Sequence, residues 1–360
     1  MPARRLLNFG LSALLAGAIF APLAIRCFAS KALASPAPML GASGYHLLRR
    51  IELGGEGSWG YLAFDSLTRR LFISRQNKVI VIDVDSGKVD GEITDTPGVQ
   101  GIALAPELGR GFTSNGEKNN VTIFDLSSLK TLGTADAGES PGAIVYDPGS
   151  KRVFVMNDVG HSATAIDGAS GKVLASIPLR GRPEYAVPDG AGHLYVNLAD
   201  KNEQQLINTQ DLTATSFWSI LPCEAPLGLG MDILHRRLFL GCTNRMMAVV
   251  NADTGKVVST QATDEGAHTI AFDPSSGTIF SSNGDSGTLT VVHEDGPDNY
   301  TLIEDFVTQL HARTMALDPK NGQIYLVSAA LGDTPKPTKE DPHPAPPILP
   351  GSFVVLVYGE

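Results

Sequence analysis

Three ionisable residues, Glu184, His268 and Arg313, fall at the same place in three copies of a repeated segment of this 360-residue chain. Polar groups that converge in this way make a binding site or, where a carboxylate and an imidazole work together, an acid–base centre. In the second case a divalent ion such as Mg²⁺ or Ca²⁺ held by Glu184 and His268 would assist, with Glu265 or His311 as neighbours. The sequence has no HxxxH, HxH or CxxC pattern to mark a local metal site. No nucleophile elbow supports a serine hydrolase.

The elements that must carry these residues follow from a repeat. The phrases DVDSGKV, DGASGKV and NADTGKV place Gly87, Gly171 and Gly255 at intervals of 84 residues, and Lys130 of a weaker copy falls halfway between Lys88 and Lys172. The period is therefore 42, a length that signals stacked or radial repeats. An Asp or Asn followed by Gly supplies the left-handed residue of a tight hairpin, so these phrases read as turns and not as phosphate loops. A second marker recurs seven times, from YLAFDSLTRRLFIS to TMALDPKNGQIYLV. Each unit reads as four short strands, a to d, and no part of the mature chain shows a helical apolar period. Seven such units predict an all-β, seven-bladed β-propeller with four-stranded antiparallel blades, closed radially so that sheet edges are protected.

The last unit ends without a strand d, while YHLLRRIELGG (residues 45–55) precedes the first strand a. The N-terminal strand is thus expected to complete the last blade of a single domain over residues 45–360. A Pro-rich stretch, residues 332–352, reads as an extended insertion between strands b and c of that blade, either an arm over the site face or a plain surface insertion.

Strand b endings such as LFISRQN, VFVMND, LYVNLAD and IFSSNGD, followed by V-x-V-x-D and the S/T-G-K-V turn, resemble the YVTN-type, YncE-like family of exported bacterial propellers. That resemblance implies a periplasmic or surface binding or scaffold protein, often without a reaction. A metal-assisted reading would instead resemble the seven-bladed lyases and lactonases, whose channel His and Glu residues do acid–base work. An auxiliary of a periplasmic quinone-dependent dehydrogenase system is a further alternative.

In a propeller the starts of strands a and the b–c loops share one face. The position five before the end of each strand a is Gly60, Gln100, Gly142, Glu184, Leu227, His268 or Arg313. Trp59 and Tyr185 stand beside this ring and read either as aromatic walls or as packing between blades. Asn115, Asn157, Asp158, Asn197 and Asn283 at the b–c loops read as turn formers, and His161 as a surface residue.

A formal net charge of −10 and the absence of a Lys/Arg stripe argue against nucleic acid and toward an uncharged or cationic small molecule or a protein. Residues 1–34 read as a cleaved export signal: basic MPARR, an apolar run, then Ala32-Leu33-Ala34. Arg4-Arg5 leaves both Sec and twin-arginine export open. The chain is then periplasmic or secreted, without a membrane span, and a closed ring needs no partner copy, so a monomer is expected. In that oxidising setting Cys223 and Cys242, at the same end of adjacent strands, are expected to form one disulfide.

Overall fold

Seven four-stranded antiparallel sheets are arranged as a propeller in the computed structural model, which describes residues 42–338, 344 and 346–360. The first blade is Trp59–Asp65, Arg70–Arg75, Lys78–Asp83 and Lys88–Ile93, running from strand a at the channel to strand d at the rim. The only helical element among the described residues is a short 3₁₀ turn at Pro106–Leu108. No helix among them is long and apolar enough to cross a membrane. The proposed signal, residues 1–34, and the middle of the Pro-rich insertion lie outside the described residues.

The seventh blade contains Met315–Leu317, Ile324–Ser328 and Val354–Gly359, and its outermost strand is His46–Glu52 from the other end of the chain. The two termini pair antiparallel from His46 opposite Gly359 to Glu52 opposite Val354. Ile51, Tyr325, Val327 and Val355 of this blade pack with Leu71, Ile73 and Ile82 of the first, so one apolar cluster seals the ring.

One aromatic recurs near the start of strand b in every blade: Phe72, Phe112, Phe154, Tyr195, Phe239 and Phe280 at its third residue and Tyr325 at its second, all buried. These rings dominate the apolar area between neighbouring sheets. The c–d turns hold Gly87, Gly171 and Gly255 at φ 73°, 73° and 70°. Leu129 and Leu212 take the same left-handed slot in the second and fourth blades, at φ 60° and 57°. The turn survives loss of glycine there because Asp125 and Asn208 still accept hydrogen bonds from the turn amides.

Cys223, just before strand a of the fifth blade, is joined by a disulfide to Cys242 at the end of its strand b (Cα–Cα 5.4 Å).

Candidate functional site

Every strand a of the first six blades carries a β-bulge near its start. In the first blade Trp59 pairs with Arg75 and Leu62 with Ile73, leaving Gly60 and Tyr61 both opposite Ser74. Corresponding shifts occur at Val99/Ile102, Pro141/Ile144, Pro183/Ala186, Pro226/Leu229 and Ala267/Thr269. A bulge re-aims consecutive side chains, and here it turns the ring positions toward the channel. Strand b holds the arrangement from behind: Ser74 Oγ accepts from Gly60 N (3.0 Å) and donates to the carbonyl of Gln100 in the next blade (3.1 Å). Ser282 reaches Arg313 O at 2.5 Å, Ser114 reaches Gly142 O, and Asn197 Nδ2 reaches Gly228 O at 3.1 Å. The carbonyls of Gln100, Gly142 and Arg313, and that of Leu227 through the same Asn197 amide at 3.2 Å, are thereby fixed by the preceding blade.

Five of the seven ring positions, Gln100, Gly142, Glu184, His268 and Arg313, line one cavity of about 330 Å³ at the channel mouth. Gly60 and Leu227 do not. Tyr61, which sequence reading passed over, lines it too. Its ring meets Tyr185 edge-on (centroids 5.3 Å) and lies 5.7 Å from His268, so residues of the first, fourth and sixth blades bridge the channel. Tyr61 and Tyr185 occupy equivalent places in their blades, one after the ring position, and that coincidence was the available signal.

Glu184 pairs with Arg182, which immediately precedes its strand (Pro183–Pro188), and Arg182 also reaches Asp158 at 3.4 Å. Burial pushes the Glu184 carboxyl above its ordinary value, with Arg182 opposing and Asp158 adding to the rise. Burial, helped by the positive charge of Arg313, lowers His268 to about 4, so its imidazole is neutral at pH 7. His268 Nδ1 and Thr314 Oγ1, both within the residues lining the cavity, are buried and find no hydrogen-bond partner among the described residues. Arg313 is exposed and its guanidinium forms no ion pair or hydrogen bond among the described residues.

Other expectations need correction. Trp59 is not a wall of this cavity: it is 8% exposed, packs on Phe353 (centroids 5.6 Å) and lines a smaller neighbouring space. Glu265 lies outside the cavity, 3.6 Å from Arg245, and His311 lines the spaces beside it. Asn115, Asn157 and Asn283 are not simple turn formers. Each is buried and donates to two side chains on strand c, as Asn157 does to Ser162 and Thr164, both at 3.0 Å. Asp158 does line the cavity, while His161 is exposed and outside it.

Contrary to the expectation that no nucleophile elbow occurs, Gly138-Glu139-Ser140-Pro141-Gly142 has its Gly-x-Ser-x-Gly spacing, and Ser140 lines the cavity at φ 56°. The stretch leads into a strand and not a helix, however, and Gly98, Ala225, Gly266 and His311 adopt positive φ at the same place in other blades. The backbone shape belongs to the repeat and is not strain stored at a nucleophile. Among the described residues the one group of three potential metal ligands is Asp232, His235 and Glu294, at the opposite end of the strands. Glu184 and His268 belong to no such group, and Arg182 already holds the Glu184 carboxylate.

No protein-family model matches the chain, and no curated protein matches it. Solved structures do. A chain of Kuenenia stuttgartiensis hydrazine synthase aligns over 75% of this chain and 92% of its own, at 15% identity and TM-score 0.67. A chain of the mitotic checkpoint complex aligns over 97% and 99%, at 14% identity and TM-score 0.71. The Myceliophteria thermophila Cps50 (Swd1) β-propeller domain aligns over 88% and 99%, at 10% identity and TM-score 0.68. At such identities the likeness is one of fold, and by fold this chain is a seven-bladed β-propeller.

Proposed function

We propose that this chain is a YVTN-type, YncE-like exported propeller that binds a small molecule in the cup at the channel mouth, as a monomer and without turnover. The observation that carries the reading is the gathering of Gln100, Glu184, His268 and Arg313 from four blades around one cavity in which His268 Nδ1 lacks a partner among the described residues. A buried nitrogen without a partner costs free energy that a bound acceptor or donor would recover. The cavity volume lies at the lower end of the range for small-molecule sites. The disulfide and the basic-then-apolar start of the sequence support export to an oxidising compartment.

The alternative, acid–base chemistry through a divalent ion on Glu184 and His268, requires that ion to displace Arg182 from the carboxylate. The two readings separate in one experiment. The native exported protein is screened by thermal shift and by mass spectrometry of whatever dissociates on unfolding, and for Mg²⁺-dependent turnover on a broad substrate panel. Binding without turnover, lost in the Glu184→Ala/His268→Ala double variant, supports the cup. Turnover that the same double variant abolishes overturns it.

A further inference from the structure

The cavity at the mouth does not end at Arg313. On the other side of this residue lies a second space of about 220 Å³, with Trp59, Leu331, Pro346 and Ile348 supplying apolar walls and His311 beside Arg313. Arg313 thus borders both a polar chamber and an apolar one. The apolar chamber lies under the neck of the Pro-rich arm, which is tied shut by the bridge between Leu331 and Ile348. Hydrogen bonds from Gly332 N to Pro347 O and from Leu349 N to Ala330 O, both 2.8 Å, reinforce it. The walls are therefore preorganised, which lowers the ordering cost of binding.

Two features of this chamber ask for a particular ligand. Among the described residues, Trp59 Nε1 is buried without an acceptor and Arg313 has no counter-ion. A planar carboxylate matches a guanidinium fork and offers an oxygen to an indole N–H. Nearby, Asp158 and Glu184 present two carboxylates to the single guanidinium of Arg182, so a second negative charge on the ligand would be repelled.

Resting on the reading of the mouth as a ligand site, we propose that the bound molecule is an amphipathic organic monoanion. Its carboxylate lies against Arg313 and Trp59 Nε1, and its apolar body fills the space below the arm. This reverses the expectation of an uncharged or cationic ligand drawn from net charge, because a nearby cation, unpaired among the described residues, acts on the chamber more strongly than surface acids beyond a screening length.

The test uses 2-naphthoate and its uncharged isostere 2-naphthamide on the full chain, read by calorimetry and by tryptophan fluorescence. Naphthoate is expected to bind once per chain and naphthamide about tenfold more weakly. Arg313→Gln should bring naphthoate down to the amide's level, with Arg313→Lys intermediate. Trp59→Phe should weaken it and remove most of the fluorescence change. Arg110→Gln, on the far face, should do nothing. Equal binding of acid and amide, indifference to Arg313→Gln, or no binding of naphthoate at millimolar concentration overturns the inference. If compounds from the thermal-shift screen still bind in a manner lost on Glu184→Ala/His268→Ala but indifferent to Arg313→Gln, the mouth remains a ligand site and only the monoanion assignment falls.

Discussion

Tyr61 and Tyr185 meet edge-to-face with ring centroids 5.3 Å apart, although the first blade supplies one and the fourth the other. With His268 against the same Tyr61 ring, this contact spans the channel and keeps water from the imidazole. Tyr61→Ala should therefore destabilise the fold by about 1–3 kcal/mol. It should also return the His268 pKa from about 4 toward 6.5. Urea denaturation and an NMR titration of the histidine ring measure the two effects; an unmoved titration would show that something other than the tyrosine bridge keeps the site dry.

A pH dependence follows from the same burial. The folded chain resists protonation at His268 until about pH 4, whereas the unfolded chain accepts a proton near 6.5. Stability contributed by neutral His268 is whole above pH 6.5 and is lost as pH falls through that window, by about 3 kcal/mol in all. Glu184 works in the other direction: its raised pKa means that ionisation above the ordinary 4.5 costs stability as pH rises. Comparing the parent with His268→Gln and Glu184→Gln in chemical denaturation from pH 4 to 7 separates the two slopes. His268→Gln should weaken the loss on acidification, and Glu184→Gln should deepen it.

The disulfide closes a short loop, with its cysteines 19 residues apart in sequence. Constraining a loop of that size in the unfolded chain is worth about 3 kcal/mol. The Cys223→Ser/Cys242→Ser variant should unfold at correspondingly lower denaturant concentration. Because both cysteines are fully buried, mild reductant on the folded protein should leave the bond intact over the time in which it is reduced in urea.

Asn157 is buried, donates to Ser162 and Thr164 and accepts from Gly138 N at 3.0 Å. Asn157→Ala removes three hydrogen bonds, although Gly138 N keeps Thr164 Oγ1 as an acceptor at 3.2 Å, for a loss of about 1–3 kcal/mol in urea denaturation. A change within a few tenths of a kcal/mol would mean that these groups find other partners.

The number of blades and the pairing of residues 46–52 with the final strand were legible in the chain because a 42-residue period and a missing fourth strand leave one way to close a ring. The ring of candidate residues was legible for the same reason, since equal places in equal repeats face one centre. What escaped were consequences of the bulge. It puts two consecutive residues, Gly60 and Tyr61, opposite Ser74, so Tyr61 enters the cavity, while Trp59, one residue earlier than the ring position, turns away to pack on Phe353. A period-two alternation carries no mark of that slip. The role of Asn157 and its counterparts was equally hidden, because an Asn at a strand end looks like a turn former until the hydroxyls five and seven residues later are seen opposite it.

The pairing of His46–Glu52 with Val354–Gly359 also sets an order of events as the chain emerges into the compartment where it folds. This strand emerges about 300 residues ahead of the strand that receives it, so six blades can assemble while it waits. An apolar strand left unpaired for that interval would recruit neighbouring chains. This one carries Arg49 and Arg50 midway along its length and buries only Ile51 fully, so charge guards it until the last residues are made.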